Sequence, residues 1–228
     1  MNDQTNYSGK DELEILDSAD NYTYSITSQI CNFFSKDKVA LDFGAGAGTF
    51  AKKLRNSNLE VECLEIDPDL TNILTSLNFK VHRDLSGFKH SSVAQIYSIN
   101  VLEHIEDDLN ILKKLKDILI DDGKLYLYLP AFPILYSKFD KKIGHFRRYK
   151  RADLSDKLRE AGFKIEKMRY RDSVGFLVAF IFKLISNSDT VSKKSVYIYD
   201  RLLFPFSKFV DPLLSRFFGK NIEVLAIK

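Results

Sequence analysis

Three glycines alternate in Gly44-Ala45-Gly46-Ala47-Gly48, directly after the apolar run Val39-Ala40-Leu41-Asp42-Phe43 and before a stretch that places Phe50 and Leu54 on one helical face. Glycine tolerates positive φ and lets the backbone approach a ligand closely, so such a turn between strand and helix is shaped to hold one. Asp42 sits just before this turn. Glu65 ends a second apolar run through Val61, Cys63 and Leu64, where a carboxylate can take both hydroxyls of a ribose. Together these features predict a site for a nucleotide-type cofactor.

The glycine spacing separates the candidate cofactors. A dinucleotide fingerprint needs G-x-G-x-x-G, and Thr49 occupies the place of its third glycine. Asp42 would be a poor neighbour for a pyrophosphate but suits a ligand carrying an ammonium group and a sulfonium centre. S-adenosylmethionine has both and is the expected cofactor, with NAD as the weaker alternative.

From about Tyr22 to the C-terminus the chain resembles the class I S-adenosylmethionine-dependent methyltransferases, in particular bacterial small-molecule enzymes with an Asn-Val-Leu-Glu-His motif. The resemblance is carried by Val39 to Gly48, Glu65-Ile66-Asp67, Arg83-Asp84-Leu85 and Ser98-Ile99-Asn100-Val101-Leu102-Glu103-His104-Ile105. It implies that Asp42, Gly44, Ala45, Gly46 and Gly48 cradle the cofactor and that Glu65 and Ile66 meet its ribose. Asp84 and Leu85 would lie at the adenine, and the backbone near Asn100 and Val101 at the methionine end. The implied fold is α/β, a Rossmann-like doubly wound and mostly parallel seven-stranded sheet with an antiparallel last strand and a helical cap insertion.

The elements that must position these residues are readable as alternating strands and helices. Strands are expected near Val39–Phe43, Glu60–Glu65, Lys80–Arg83, Ala94–Ser98 and Leu125–Leu129. Leu109, Leu112, Leu115 and Leu119 recur at helical spacing, with Asp122-Gly123 expected to close that helix. A further helix is expected to start at Asp153, bury Leu154, Leu158 and Ala161, and stop at Gly162 before a strand around Phe163–Tyr170. The expected organisation is one domain over 1–228: an N-terminal helical segment at 1–35, the cofactor-binding core at 39–172, the cap insertion at 173–220 and the last strand at 221–228.

Composition agrees with this reading. The 228 residues suffice for one α/β domain, and 45% apolar with 29% charged residues is ordinarily globular. The start Met1-Asn2-Asp3-Gln4 has no basic-then-apolar pattern, so a cytoplasmic protein is expected. Cys31 and Cys63 form neither a disulfide framework nor zinc-ligand spacing; both are expected in the core, and no metal is expected.

The loop after the fifth strand, Lys138 to Arg151, carries seven Lys or Arg and one Asp in a chain whose net charge is only +3. In an open α/β sheet it should border the methyl acceptor, and its charge suggests an anionic one. Histidine as a residue type changes charge near neutral pH, so His145 is the first candidate general base and His104 the second, each alternatively a structural brace. Tyr136, Asp140, Arg148 and Tyr149 are candidate acceptor contacts. Nucleic acid is disfavoured, because base-amino methyltransferases carry an Asn/Asp-Pro-Pro-aromatic run where this chain has Ser98-Ile99-Asn100-Val101.

The insertion, roughly Ser173 to Lys220, is rich in Phe, Leu and Lys. Lys183 interrupts its apolar run far short of the ~20 residues of a membrane span. The plain reading is a buried cap helix. The alternative is a lid over a lipid-like substrate, or peripheral membrane contact through 174–218, where Arg201, Lys208 and Arg216 alternate with Phe204, Phe206, Phe209 and Phe217. The expected function is methyl transfer to a small molecule such as an acidic metabolite, sugar or lipid precursor. Rival readings are a catalytically silent cofactor-binding sensor or partner subunit, and a nicotinamide-dependent oxidoreductase.

Overall fold

A computed structural model of the chain describes residues 18–185, 190 and 192–228. The first 17 residues of the expected N-terminal segment lie outside the described residues.

Helix α1 (Asp20–Phe33) leads into β1 (Ala40–Phe43), α2 (Thr49–Asn56), β2 (Val61–Leu64), α3 (Pro68–Ser76), β3 (Lys80–His82) and β4 (Val93–Ile99). A 3-10 turn (Leu102–His104), α4 (Asp108–Ile118), β5 (Leu119–Pro130), a second 3-10 turn (Pro133–Leu135), α5 (Lys138–Lys142), α6 (Arg151–Glu160) and β6 (Lys164–Arg171) follow. The insertion comprises α7 (Ser173–Ile185), α8 (Lys193–Ile198), a π-helical stretch (Tyr199–Leu203) and α9 (Phe204–Leu214), and β7 (Asn221–Ile227) comes last.

The strands form one seven-stranded sheet in the order β3-β2-β1-β4-β5-β7-β6. Strands β1 to β5 pair in parallel, and β7 enters antiparallel between β5 and β6. Both faces are covered, which explains why the strands read as continuous apolar runs. Leu41, Ile96, Leu125, Leu127 and Leu129 join α4 and α6 residues on one side. On the other, Ala40, Cys63, Tyr97, Tyr126 and Tyr128 pack with Ile26 and Ile30 of α1 and Leu54 of α2.

Three local expectations are corrected. Leu119 is the first residue of β5 and pairs with Val93, and Asp122-Gly123 lies inside that strand. The β4–β5 register shifts there, Asp122 takes φ 59°, and a Cβ on Gly123 would meet the Ile120 carbonyl at 2.6 Å. A bulge therefore uses the Asp-Gly pair that resembled a helix stop. Helix α6 begins at Arg151, so Asp153 sits in its first turn, where a carboxylate favours the helix dipole, rather than capping it. The insertion is helical, but it is not a buried cap: Leu177, Ile181, Phe182, Leu184 and Ile185 of α7 are exposed. Cys63 is buried, whereas Cys31 is only partly so.

The insertion is nonetheless anchored. The buried Asp211 carboxylate accepts hydrogen bonds from the Asp172 and Ser173 amides at the start of α7, both at 2.9 Å. Asp200, also buried, accepts from the Asn21 and Tyr22 amides at the start of α1, at 2.9 and 2.8 Å. These acids satisfy donors that a helix leaves open at its N-terminus. Phe132 and Phe176 add an edge-on ring contact between the β5 loop and α7, with centroids 5.0 Å apart.

Candidate active site

The strand order reverses between β1 and β4, and the loops beyond their carboxyl ends flank the resulting crevice. Gly44, Gly46 and Gly48 all have positive φ, at 82°, 55° and 77°. Gly44 is doubly constrained, since a Cβ there would lie 2.4 Å from a Val101 methyl. Val101 thus packs directly on the turn, beside Asn100, which has φ 53° and donates its amide to the Tyr128 carbonyl at 2.9 Å. Ser98 braces the same edge by donating to the Phe43 carbonyl at 2.9 Å.

Glu65 ties the second strand to this turn. One carboxylate oxygen accepts from Gly46 N at 2.8 Å; the other accepts from Ile66 N at 2.8 Å and Asp67 N at 3.0 Å. Asp67 in turn caps α3, accepting from Asp69 N and Leu70 N. Ile66 is 78% exposed beside this anchored carboxylate, an apolar platform at the crevice rim. Asp84 is exposed and accepts from Ser86 N at 2.7 Å; its pKa is lowered by the Ser86 hydroxyl and then by the Ser86 amide. Leu85 packs partly against the core.

Asp42 is buried in β1 and accepts from the Tyr97 hydroxyl at 2.7 Å. Burial pushes its carboxyl up to about 8, with the Tyr97 bond opposing and the Glu65 charge adding to the rise. Tyr97 lies within an apolar strand run and carries no site signal in the sequence. Only the pairing of β1 with β4, which sets Asp42 opposite Tyr97, reveals it.

On the acceptor side, the loop from α5 to α6 is held by its own charges. Asp140 is fully buried and accepts from His145 Nδ1 at 2.9 Å, Arg148 Nε at 2.8 Å, and the amide and hydroxyl of Ser137, both at 2.8 Å. Burial opposes ionisation, but the His145 bond and the Arg148 charge and bond outweigh it and hold this carboxyl well below the usual range. Arg147 pairs with Asp108 at 3.0 Å, and Tyr149, itself buried, donates to the same carboxylate at 2.9 Å. Tyr136 donates to the His145 carbonyl at 2.6 Å. The structure therefore brings Tyr136, Asp140, His145 and Arg148 together as one braced unit and places Tyr149 behind it. Lys138, Lys141 and Lys142 stay on the exposed face.

His145 is buried and its ring meets the His104 ring edge-on, with centroids 4.6 Å apart. Glu103, fully buried, adjoins them with Oε1 3.8 Å from His145 Nε2. A cleft of about 580 Å³ lies elsewhere, at the amino ends of β2 and β3 between Arg55, Glu60, Glu62 and Lys80. It lacks the glycine turn and buried carboxyls of the crevice, so we place the chemistry at the carboxyl edge.

A family model described as a methyltransferase domain matches residues 19–168. No curated protein sequence matches the chain. Among solved structures it resembles an S-adenosylmethionine-dependent methyltransferase of Archaeoglobus fulgidus at 16% identity and TM-score 0.62, covering 90% of this chain and 94% of the other. It also resembles one of Mesorhizobium loti at 14% identity and TM-score 0.58, covering 88% and 96%. A phosphoethanolamine N-methyltransferase of Haemonchus contortus, solved with S-adenosylmethionine, matches at 14% identity and TM-score 0.60 over 91% of this chain and 52% of that one. Fold and crevice thus define a class I methyltransferase architecture. The chain belongs to the methyltransferase domain family, is an enzyme, and uses S-adenosylmethionine as cofactor.

The residues fit that cofactor. A turn that excludes a Cβ at Gly44, a carboxylate at the end of β2 and a second acid in β1 match a ligand with ribose hydroxyls and cationic groups. When bound, the cofactor supplies a methyl group already activated on sulfur. What the protein must add is alignment, exclusion of water and handling of the acceptor's proton.

Proposed function

We propose that this enzyme methylates an amphipathic, lipid-linked acceptor with an anionic group, met at a membrane surface. The observation that carries this reading is the outer face of the insertion. Phe206, Phe209, Leu213 and Phe217 follow one another at helical spacing and are all exposed, Phe209 at 82%, and the exposed face of α7 adds Leu177, Ile181, Phe182 and Ile185. Large apolar side chains exposed in this number mark an interaction site, and exposed basic residues of the same insertion, such as Lys193 and Arg201, suit an anionic surface. No helix among the described residues is long and apolar enough to cross a membrane, so contact would be peripheral.

In this reading the cofactor is held by Asp42, Gly44, Ala45, Gly46, Gly48, Glu65, Ile66, Asp84, Leu85, Asn100 and Val101. His145 and His104 stand at the acceptor side of the crevice, and the Tyr136, Asp140, Arg148 and Tyr149 framework positions them. Asp140, held ionised, accepts a hydrogen bond from His145 Nδ1–H and so orients the imidazole ring.

The test is label transfer from methyl-labelled S-adenosylmethionine to a membrane lipid extract and, separately, to a water-soluble metabolite extract. Label in the lipid fraction that disappears with Glu65→Ala supports the proposal; label confined to the soluble fraction overturns the lipid-linked acceptor.

A further inference from the structure

Glu103 and His104 leave the carboxyl end of β4 in one 3-10 turn, while His145 arrives from the loop after α5. One donor atom from each of the three lies within 4.8 Å of the others. One backbone link joins the two segments, Phe146 N donating to the Glu103 carbonyl at 2.8 Å, and within the turn His104 N donates to the Val101 carbonyl at 3.0 Å.

Burial makes this cluster unusual. The Glu103 side chain is 0% exposed and that of His145 is 5% exposed. His145 Nε2 is buried, makes no hydrogen bond, and points at the Glu103 carboxylate from 3.8 Å. At that distance the two groups do not form a hydrogen bond. A lone pair aimed at a carboxylate inside the protein is an unfavourable arrangement unless a cation lies between them or the ring carries its second proton.

Outer contacts complete the pattern. Asp140 accepts the Nδ1 proton of His145 and is itself fixed by Arg148 and Ser137. A carboxylate behind a histidine in this manner sets the tautomer and strengthens the other nitrogen as a metal ligand.

We propose that Glu103, His104 and His145 bind a divalent transition metal of the zinc class at the acceptor side of the crevice, with Asp140 as the positioning residue. Two imidazoles and one carboxylate are a borderline donor set suited to zinc or cobalt(II) rather than to magnesium or calcium. Three protein ligands leave a position open for water or an acceptor oxygen. Tetrahedral ligation at ~2.1 Å places donors about 3.4 Å apart, so the side chains close in by up to about 1.4 Å from a separation within 4.8 Å. The cation would then act as a Lewis acid on the acceptor oxygen. This deepens the acceptor-side reading above, replacing direct proton transfer to a histidine, while metal binding itself can be measured without any acceptor.

The experiment uses the full chain, treated with chelator and dialysed, and titrated with cobalt(II) followed by visible absorbance and with zinc followed by calorimetry. One equivalent bound with a low-coordinate cobalt spectrum is expected. His145→Ala and, as the more conservative change, Glu103→Gln should each weaken binding at least 100-fold, and Asp140→Asn by about 10–100-fold. His90→Ala, on an exposed histidine, should leave it unchanged. Thermal melts establish that each variant is folded. Absence of stoichiometric binding in folded wild-type protein overturns the proposal, as does binding that both His145→Ala and Glu103→Gln leave intact. S-adenosylhomocysteine titrated into the same samples separates the two readings: metal binding lost while it still binds refutes the metal site alone, whereas the reverse refutes the placement of the cofactor.

Discussion

The crevice at the carboxyl edge of the sheet and the outer face of the insertion treat their exposed chemistry in opposite ways. In the crevice the anchoring carboxylates are met from within the protein: Glu65 bridges three amides, Asp42 takes the Tyr97 hydroxyl, and Asp140 gathers a histidine, an arginine and a serine. In the insertion the buried acids Asp200 and Asp211 tie down helix starts, but the outward side chains of α7 and α9 are large, apolar and exposed. One region is pre-organised before any ligand arrives. The other keeps an apolar cost that only a partner surface removes.

The comparison can be tested at Glu65 first, where the largest effect is expected. Removing a carboxylate that holds three backbone donors, with charge-assisted bonds worth roughly 1.5–3 kcal/mol each, should weaken S-adenosylhomocysteine binding 100-fold or more in Glu65→Ala. Calorimetry on a folded variant that showed wild-type affinity would remove Glu65 from the cofactor site.

Gly44→Ala should come next. It combines a φ of 82° with a Cβ 2.4 Å from Val101, so a loss of about 1–3 kcal/mol in stability is expected, read by denaturant unfolding. Adding Val101→Ala should recover the part due to collision and leave the part due to φ, separating the two causes.

Asp42 probes how the crevice stores charge. Its carboxyl is pushed up to about 8 by burial, whereas in the unfolded chain it ionises near 4. Between those values the folded state holds the extra proton, so this group's contribution to stability is full below about pH 4 and is lost as pH rises to about 8. Asp42→Asn should therefore flatten the fall in melting temperature across that window. Binding of the cationic cofactor at pH 7 should release a proton from the wild type and none from the variant, measured as the dependence of calorimetric heat on buffer ionisation enthalpy.

The smallest effect on the fold is expected from the insertion. Phe209→Glu should change stability by less than about 0.5 kcal/mol and leave S-adenosylhomocysteine affinity intact. Sedimentation with anionic lipid vesicles should nevertheless drop several-fold. If the variant sediments like wild type, the exposed face is not a membrane contact.

Much of the crevice was legible because its chemistry is local in sequence. Gly44, Gly46 and Gly48 with Asp42 lie within one strand-turn unit, and Glu65 ends the next strand, so strand periodicity and glycine spacing locate them. The basic loop was harder. Its composition suggests a surface for anions, yet Arg147 and Arg148 are committed to Asp108 and Asp140, leaving the lysines outward. Spacing alone does not reveal which buried acids a loop will meet. The Asp122-Gly123 pair shows the same limit, because a helix stop and a strand bulge both call for a residue that tolerates positive φ or close backbone approach.

The sequence by itself determined the alternation of strands and helices, the glycine turn with its cofactor class, and a helical insertion too short of apolar length to span a membrane. These follow from backbone preferences and from apolar periodicity along the chain. Tertiary structure alone decided that β7 enters between β5 and β6, that Asp42 faces Tyr97, that the insertion turns its apolar side outward, and that His145 meets Glu103 and His104. Each of these depends on which distant segments become neighbours, a property of packing that local patterning does not encode.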